Sequence, residues 1–281
     1  MQLETFHVGR KESNMEKYKK HLIEKGFSIN TIQSYEYAIR QLKERIPRNF
    51  SNEDLLNHKD WLMNSFAPKT ANNRITAVNS YLDFISYEGI RLKSLRVQQK
   101  PFLDNVISQE EYELMRDATN RDGELFWHFV LRFLTCTGAR ISELRMFTVE
   151  AVKVGYLDLI SKGQKLRRIY IAKSLQIDAV TWLSQLERTT GFVFSHDGLK
   201  PMSSRGISLG LKRLARKYSV NEDVVYPHSF RHRFAKNFIE RNPDISLLAD
   251  LMGHESIETT RIYLRRTASE QRKAVDSTIN W

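Results

Sequence analysis

A single cysteine, Cys136, leaves this chain of 281 residues no partner for a disulfide and excludes a thiolate metal site. Its position in the apolar run from Phe126 to Thr137 predicts a buried thiol. No apolar stretch approaches the roughly 20 residues that cross a bilayer. The N-terminal Met1-Gln-Leu-Glu-Thr lacks a basic segment leading into an apolar one. These absences predict a cytosolic protein with no membrane partner. Prolines number 6 and glycines 12, and there is no Gly-rich phosphate loop, heptad array, internal repeat or low-complexity tract.

Positive charge, by contrast, is plentiful. Lys and Arg number 44 against 33 Asp and Glu, a net charge of +11, with +6 in the first hundred residues and +5 in the remainder. An excess of this size on both parts of the chain draws polyanions, and nucleic acid is the expected partner. With 41% hydrophobic and 11% aromatic residues, the chain is long enough for two domains, each with its own core.

The organisation follows from periodicity and caps. Ser13, Ser28 and Ser51 each precede runs with helical apolar spacing, and a fourth helix is expected from about Pro68 to Tyr87. In that last helix Ile75, Val78, Tyr81, Leu82 and Ile85 fall on one stripe. Lys69, Asn72, Asn73 and Arg74 then lie near its N-terminal turn, where polar and basic side chains suit major-groove reading. Pro101 and its neighbours break the pattern, which predicts domains over residues 1–97 and 107–281 with a linker over 98–106. In the second, Ser108 and Glu111 predict a capping box, Phe126 to Thr137 an apolar helix, and Gly155 to Ala172 a β-hairpin turning at Gly163. The fold class is mainly α with one small β element.

Cutting a phosphodiester without a metal needs a nucleophile, cations for the nonbridging oxygens and an acid for the leaving 5′ oxygen. No cofactor is called for. Arginine suits the second task because its planar fork binds phosphate bidentately and stays charged. Arg140, in Thr137-Gly-Ala-Arg-Ile-Ser-Glu-Leu144, and Arg231, in His228-Ser-Phe-Arg231, are the candidates. His228 and Arg231 are three apart after Pro227 and share a helix face. His254 follows Gly253, the expected cap of the helix before it, and Tyr263 lies nine residues further on. Lys162 at the hairpin tip has the reach of a proton donor, with Lys165 close by.

These segments, in this order, resemble the tyrosine recombinase or phage integrase family, through motifs from about residue 107 onward and more loosely before it. The resemblance implies a helical, SAM-like core-site DNA-binding domain followed by a catalytic domain. It implies that Tyr263 attacks the scissile phosphate to form a 3′-phosphotyrosine, Arg140 and Arg231 clamp the phosphoryl oxygens, and His254 adds a hydrogen bond. His228 would shuttle the tyrosine proton, Lys162 would protonate the 5′ oxygen, and Glu143 would orient Arg140 or His228. Such proteins act as homo-tetramers on two duplexes with paired half-sites. The residues after Tyr263 look like the C-terminal helix that docks on a neighbouring protomer. Two departures stand out: Ala139 replaces a larger apolar residue, and Arg233 replaces a small polar one and is expected to add a phosphate contact alongside Lys165. No arm-binding domain precedes the helical one, so the architecture is nearer to the simple Xer type. Integration or excision of a mobile element and Xer-like dimer resolution stay open, as do the target sequence, an accessory or partner recombinase, and monomer or oligomer in the free state. Relaxation of DNA by a type IB topoisomerase and DNA binding by a non-catalytic regulator are the competing functions.

Overall fold

Serine caps open several helices of the computed structural model, which describes residues 14–47, 49–96, 105–160, 166–254, 256–261, 272 and 275–279. The chain divides into two compact units, Met1–Gln99 and Lys100–Trp281. The first holds α1 (Asn14–Glu24), α2 (Ile29–Arg45), α3 (Asn52–Ser65) and α4 (Pro68–Phe84). Ser28 accepts the Thr31 N–H at the start of α2, and Ser51 forms a reciprocal box with Asp54 at the start of α3. The Ser51 backbone N–H, and after it the Ser51 hydroxyl, hold the Asp54 carboxyl below the usual range. Pro68 opens α4, where its missing N–H costs nothing. The helix ends at Phe84, short of the expected Tyr87, because Ser86 turns left-handed and the Tyr87 N–H reaches back to Leu82. Tyr18, Leu22, Ile39, Leu42, Leu55, Leu62, Ile75, Val78 and Leu82 fill the core between these helices. Each such side chain contributes roughly 1.5–3 kcal/mol by leaving water.

One device in this unit was not foreseen. The Asn72 side chain donates to the Leu95 carbonyl at 3.0 Å and accepts the Leu95 N–H at 2.6 Å. Asn79, two turns on, does the same with Leu92 at 2.9 Å in each direction. The two amides act as a mock strand, satisfying the extended segment after α4, which has no sheet to join.

The second unit opens with α5 (Gln109–Arg121), capped by the expected Ser108–Glu111 box, and α6 (Leu125–Thr137). There follow α7 (Ile141–Leu144), α8 (Val149–Val154), a hairpin of β1 (Tyr156–Ile160) and β2 (Leu166–Tyr170), α9 (Lys173–Gln185) and α10 (Ser204–Lys217). The chain then runs through α11 (Pro227–Arg241), α12 (Ile245–Met252) and α13 (Ile257–Arg261). β1 and β2 pair antiparallel from Tyr156↔Tyr170 to Ile160↔Leu166, and among the described residues they are the only sheet. The fold is thus mainly helical with one small hairpin. The core centres on α6, whose Phe129, Val130, Leu131, Phe133 and Leu134 are buried, and α11 packs along it.

Two expectations are corrected here. Cys136 is exposed, because α6 turns this one position outward between the buried Thr135 and Thr137. Arg233 is buried rather than at a phosphate surface: its Nε and Nη2 both donate to the Ile107 carbonyl, at 3.0 and 2.7 Å. Ser229, one turn earlier on α11, accepts the Ile107 N–H at 2.7 Å, so α11 grips both sides of one peptide position at the head of this unit.

Candidate active site

Three helix ends build the site. α6 terminates at Gly138 in the left-handed conformation, where a Cβ would collide with Phe234, and Arg140 follows two residues later as the N-cap of α7. Glu143, in the first turn of α7, accepts the Arg140 N–H at 2.7 Å and its Nη1 at 2.8 Å. α12 is capped at its start by Asp244 and closed by Gly253, also left-handed, with the His254 N–H returning to the Ala249 carbonyl. The last carbonyls of α12 have no helical acceptor role left and carry the negative end of its dipole.

Arginines from three separate segments take those carbonyls one apiece. Arg167 Nη2 donates to Leu251 O at 3.0 Å, Arg231 Nη2 to Met252 O at 2.6 Å, and Arg140 Nη2 to Gly253 O at 3.2 Å. Arg231 also donates through Nη1 to Gly138 O at 2.6 Å, tying the ends of α6 and α12 together. Glu143 is the shared counter-ion: it pairs with Arg140 and Arg167, and its Oε2 lies 3.9 Å from Arg231 Nη1. Burial alone would raise the Glu143 carboxyl, but the Arg140 N–H and the Arg167 and Arg140 charges outweigh it and hold the group below the usual range. Three guanidiniums against one carboxylate leave the cluster cationic. Arg231 is 1% exposed and the Arg167 side chain 7%, whereas the Arg140 side chain is 37% exposed and forms the outer edge.

His254 is wired at both nitrogens. Nε2 is 3.0 Å from Arg231 Nη2, which can only donate, so Nε2 accepts and Nδ1–H donates to the Thr260 hydroxyl at 2.8 Å. Thr260, on α13, is fully buried. Burial first, then the charges of Arg231, Arg140 and Arg167, lower the His254 pKa to about 4, so the ring is neutral at physiological pH.

The structure therefore gathers Arg140, Glu143, Arg231 and His254. His228 is exposed at the start of α11, one turn before Arg231. Lys162, Lys165 and Tyr263 lie outside the described residues. In the first unit Lys69 and Asn73 are exposed at the start of α4. Asn72 is occupied by Leu95, and Arg74 bonds Gln41 and stacks on Phe66 at 3.6 Å. Two members of the surroundings were missed from sequence. His232 follows His228 by one turn; burial, then the His228, Lys236 and Arg231 charges, lower its pKa to about 4. Arg167 occupies the inward parity of β2 with Ile169, while Leu166, Arg168 and Tyr170 face out. An arginine on the buried side of a strand is the signal that marked it. Among the described residues, no group of three or more His, Cys, Asp and Glu is gathered as metal ligands would be.

The sequence matches the Phage integrase family over residues 105–270. It is 27% identical over 274 residues to tyrosine recombinase XerD of Halalkalibacterium halodurans, spanning 89% of this chain and 91% of that one. It is 26% identical over 270 residues to tyrosine recombinase XerA of Pyrococcus furiosus, spanning 93% and 92%. Solved structures share the fold: a lambda integrase tetramer bound to a Holliday junction has a TM-score of 0.72 at 14% identity, covering 95% of this chain and 78% of that one. XerH bound to its difH substrate before cleavage has a TM-score of 0.69 at 17% identity, covering 95% and 84%.

Proposed function

The chain belongs to the phage integrase family and is a site-specific tyrosine recombinase, and on that premise we propose which of its residues carry strand transfer. The observation that supports the assignment most is the meeting of Arg140, Arg231 and His254, from segments over a hundred residues apart, around Glu143 and the end of α12. A phosphodiester at the Arg140 edge replaces the backbone carbonyls as acceptor for the guanidinium N–H groups. Once turned from the carbonyls to the bound phosphodiester, these donors keep their counter-ion Glu143, so charge developing on the nonbridging oxygens in the transition state meets cations already set around it. Removing one such donor costs about 100- to 1000-fold in rate.

The Tyr263 phenol oxygen attacks phosphorus, the bond to the 5′ oxygen breaks, and a 3′-phosphotyrosine forms. The phenol proton passes to His228, and Lys162 protonates the departing 5′ oxygen. For His254 to donate to the phosphate, its proton moves to Nε2, the Thr260 hydroxyl becomes donor to Nδ1, and Arg231 Nη2 turns to the phosphate. A 5′ hydroxyl from a second duplex then reverses the steps, with the ester bond energy conserved and no external energy source. Four protomers on two duplexes with paired half-sites perform the exchange, for a mobile element or for dimer resolution. Lys69 and Asn73 on α4 read the half-site, and Lys165 touches its backbone.

A nicked suicide substrate carrying the target site tests this. The chain should accumulate a covalent protein–DNA complex, and Tyr263→Phe should accumulate none. Equal trapping by both proteins, or by neither, would remove Tyr263 from the reaction. Efficient relaxation of a supercoiled plasmid lacking any target site, without exchanged products, would favour a topoisomerase.

A further inference from the structure

Arg167 has no part in the steps above, yet it is the most enclosed link between the hairpin and the cationic cluster. Its guanidinium pairs with Glu143 Oε1, the same oxygen that Arg140 Nη1 contacts at 2.8 Å, and its Nη2 holds the Leu251 carbonyl at 3.0 Å. Its side chain also leaves no room for a Cβ at Gly253, so the cap that presents His254 is moulded against it. Its side chain is 7% exposed, lies behind the outer Arg140 and is committed to Glu143 and the Leu251 carbonyl. Its Nε–H meets no acceptor among the described residues. A buried charged group with a donor left over weakens a fold, so strengthening the fold is not the task its position serves.

We infer that Arg167 is a positioning residue for strand cleavage: it draws part of the Glu143 charge away from Arg140 and Arg231 and seats the end of α12 that carries His254. The inference rests on the function proposed above. Glu143 has two oxygens and three guanidinium neighbours. With Arg167 present, Oε1 is divided between two cations. Without it, a buried carboxylate falls wholly on the two arginines that neutralise the phosphate, weakening their field and pulling Arg140 inward. The cost should therefore fall on the chemical step and be relieved when the Glu143 charge is removed as well.

The test is a double-substitution cycle on the full chain with the nicked suicide substrate, comparing Arg167→Met, Glu143→Gln and the pair, with site affinity and thermal midpoint measured for each. Arg167→Met should slow single-turnover cleavage about 100-fold, as expected when reacting groups are misplaced by about 1 Å, while site affinity changes less than about threefold because the phosphate-backbone contacts persist. The double variant should cleave at least about tenfold faster than Arg167→Met alone, a coupling that only neighbouring groups show. A double variant as slow as the two single losses multiplied, or an Arg167→Met protein that cleaves like the unaltered chain, overturns the inference. Should Arg167→Met fail to fold, the neutral but hydrogen-bonding Arg167→Gln alone and Arg167→Gln combined with Glu143→Gln carry the same comparison, and rescue by the second substitution decides it in the same sense. Failure of the unaltered chain to form a covalent complex would instead refute the function itself, leaving the two failures distinguishable.

Discussion

Two arginines of the first unit and three of the second serve opposite ends. In the first, Arg74 lies 3.6 Å from the Phe66 ring centroid and Arg45 lies 4.0 Å from that of Trp61, so flat cations cover aromatic faces near the surface. In the second, Arg140, Arg167 and Arg231 are turned edge-on to carbonyls and a carboxylate, with Arg231 sealed from water. Stacking uses the guanidinium face and tolerates loss, because solvent can replace the ring. Edge-on binding uses directed N–H groups whose partners are buried and cannot be resolvated. The same side chain is thus a surface cover at Arg45 and Arg74 and a structural and electrostatic hub at Arg140, Arg167 and Arg231.

The largest break in that comparison should come from Arg231→Ala. It strands the Gly138 and Met252 carbonyls, removes the proton donor facing His254 and leaves Glu143 underpaired, so covalent-complex formation should vanish and stability should fall by about 3–5 kcal/mol in a urea titration. Loss of activity with unchanged stability would mean that the hub is catalytic only.

A middle-sized effect should appear in acid. His58 in the first unit is buried, its Nδ1 has no hydrogen-bond partner among the described residues, and its pKa is lowered to about 4 by burial and then by Arg45 and Arg74. His232 and His254 in the second unit are lowered to the same value. A histidine of folded pKa about 4 and ordinary value 6.5 favours its neutral form in the fold. The stability it supports is complete above 6.5, declines as the pH falls toward 4, and changes little below. Thermal midpoints read across that window should drop on acidification, and less steeply in His58→Leu, which removes the orphaned nitrogen as well as the proton site. An equally steep fall in His58→Leu would assign the acid sensitivity to the second unit alone.

The smallest effect is expected from Arg74→Ala, at about 0.5–1 kcal/mol for an uncovered ring. A loss several times larger in chemical denaturation would mean that its bond to Gln41, not the stacking, holds α2 to α4.

What could be read from the residues in order was local or chemical. Ser28, Ser51 and Ser108 cap helices because a side-chain oxygen satisfies an N–H a few residues away, and the two strands of the hairpin follow from their alternation, the expected turn at Gly163 lying outside the described residues. Arg140, Glu143, Arg231 and His254 were legible because their motifs keep the spacing that a helix end demands. Asn72 and Arg233 have partners that the sequence does not announce: each is a polar residue on a helix, and nothing in its neighbourhood in sequence says that a distant backbone, Leu95 or Ile107, comes to claim it. Arg167 was hidden in the same way, since its partners Glu143 and Leu251 stand 24 and 84 positions away.

Sequence alone determined where serine caps open helices, the excess of positive charge and the kinds of side chain available to a phosphate, because propensity, caps and charge act within a few residues. Only tertiary structure decided which arginine faces outward, which is buried behind it and which helix carbonyls they hold. Burial and hydrogen-bond partners belong to segments that meet in space, and it is those meetings that give three similar cations an outer edge, a buried partner for His254 and a link to the hairpin.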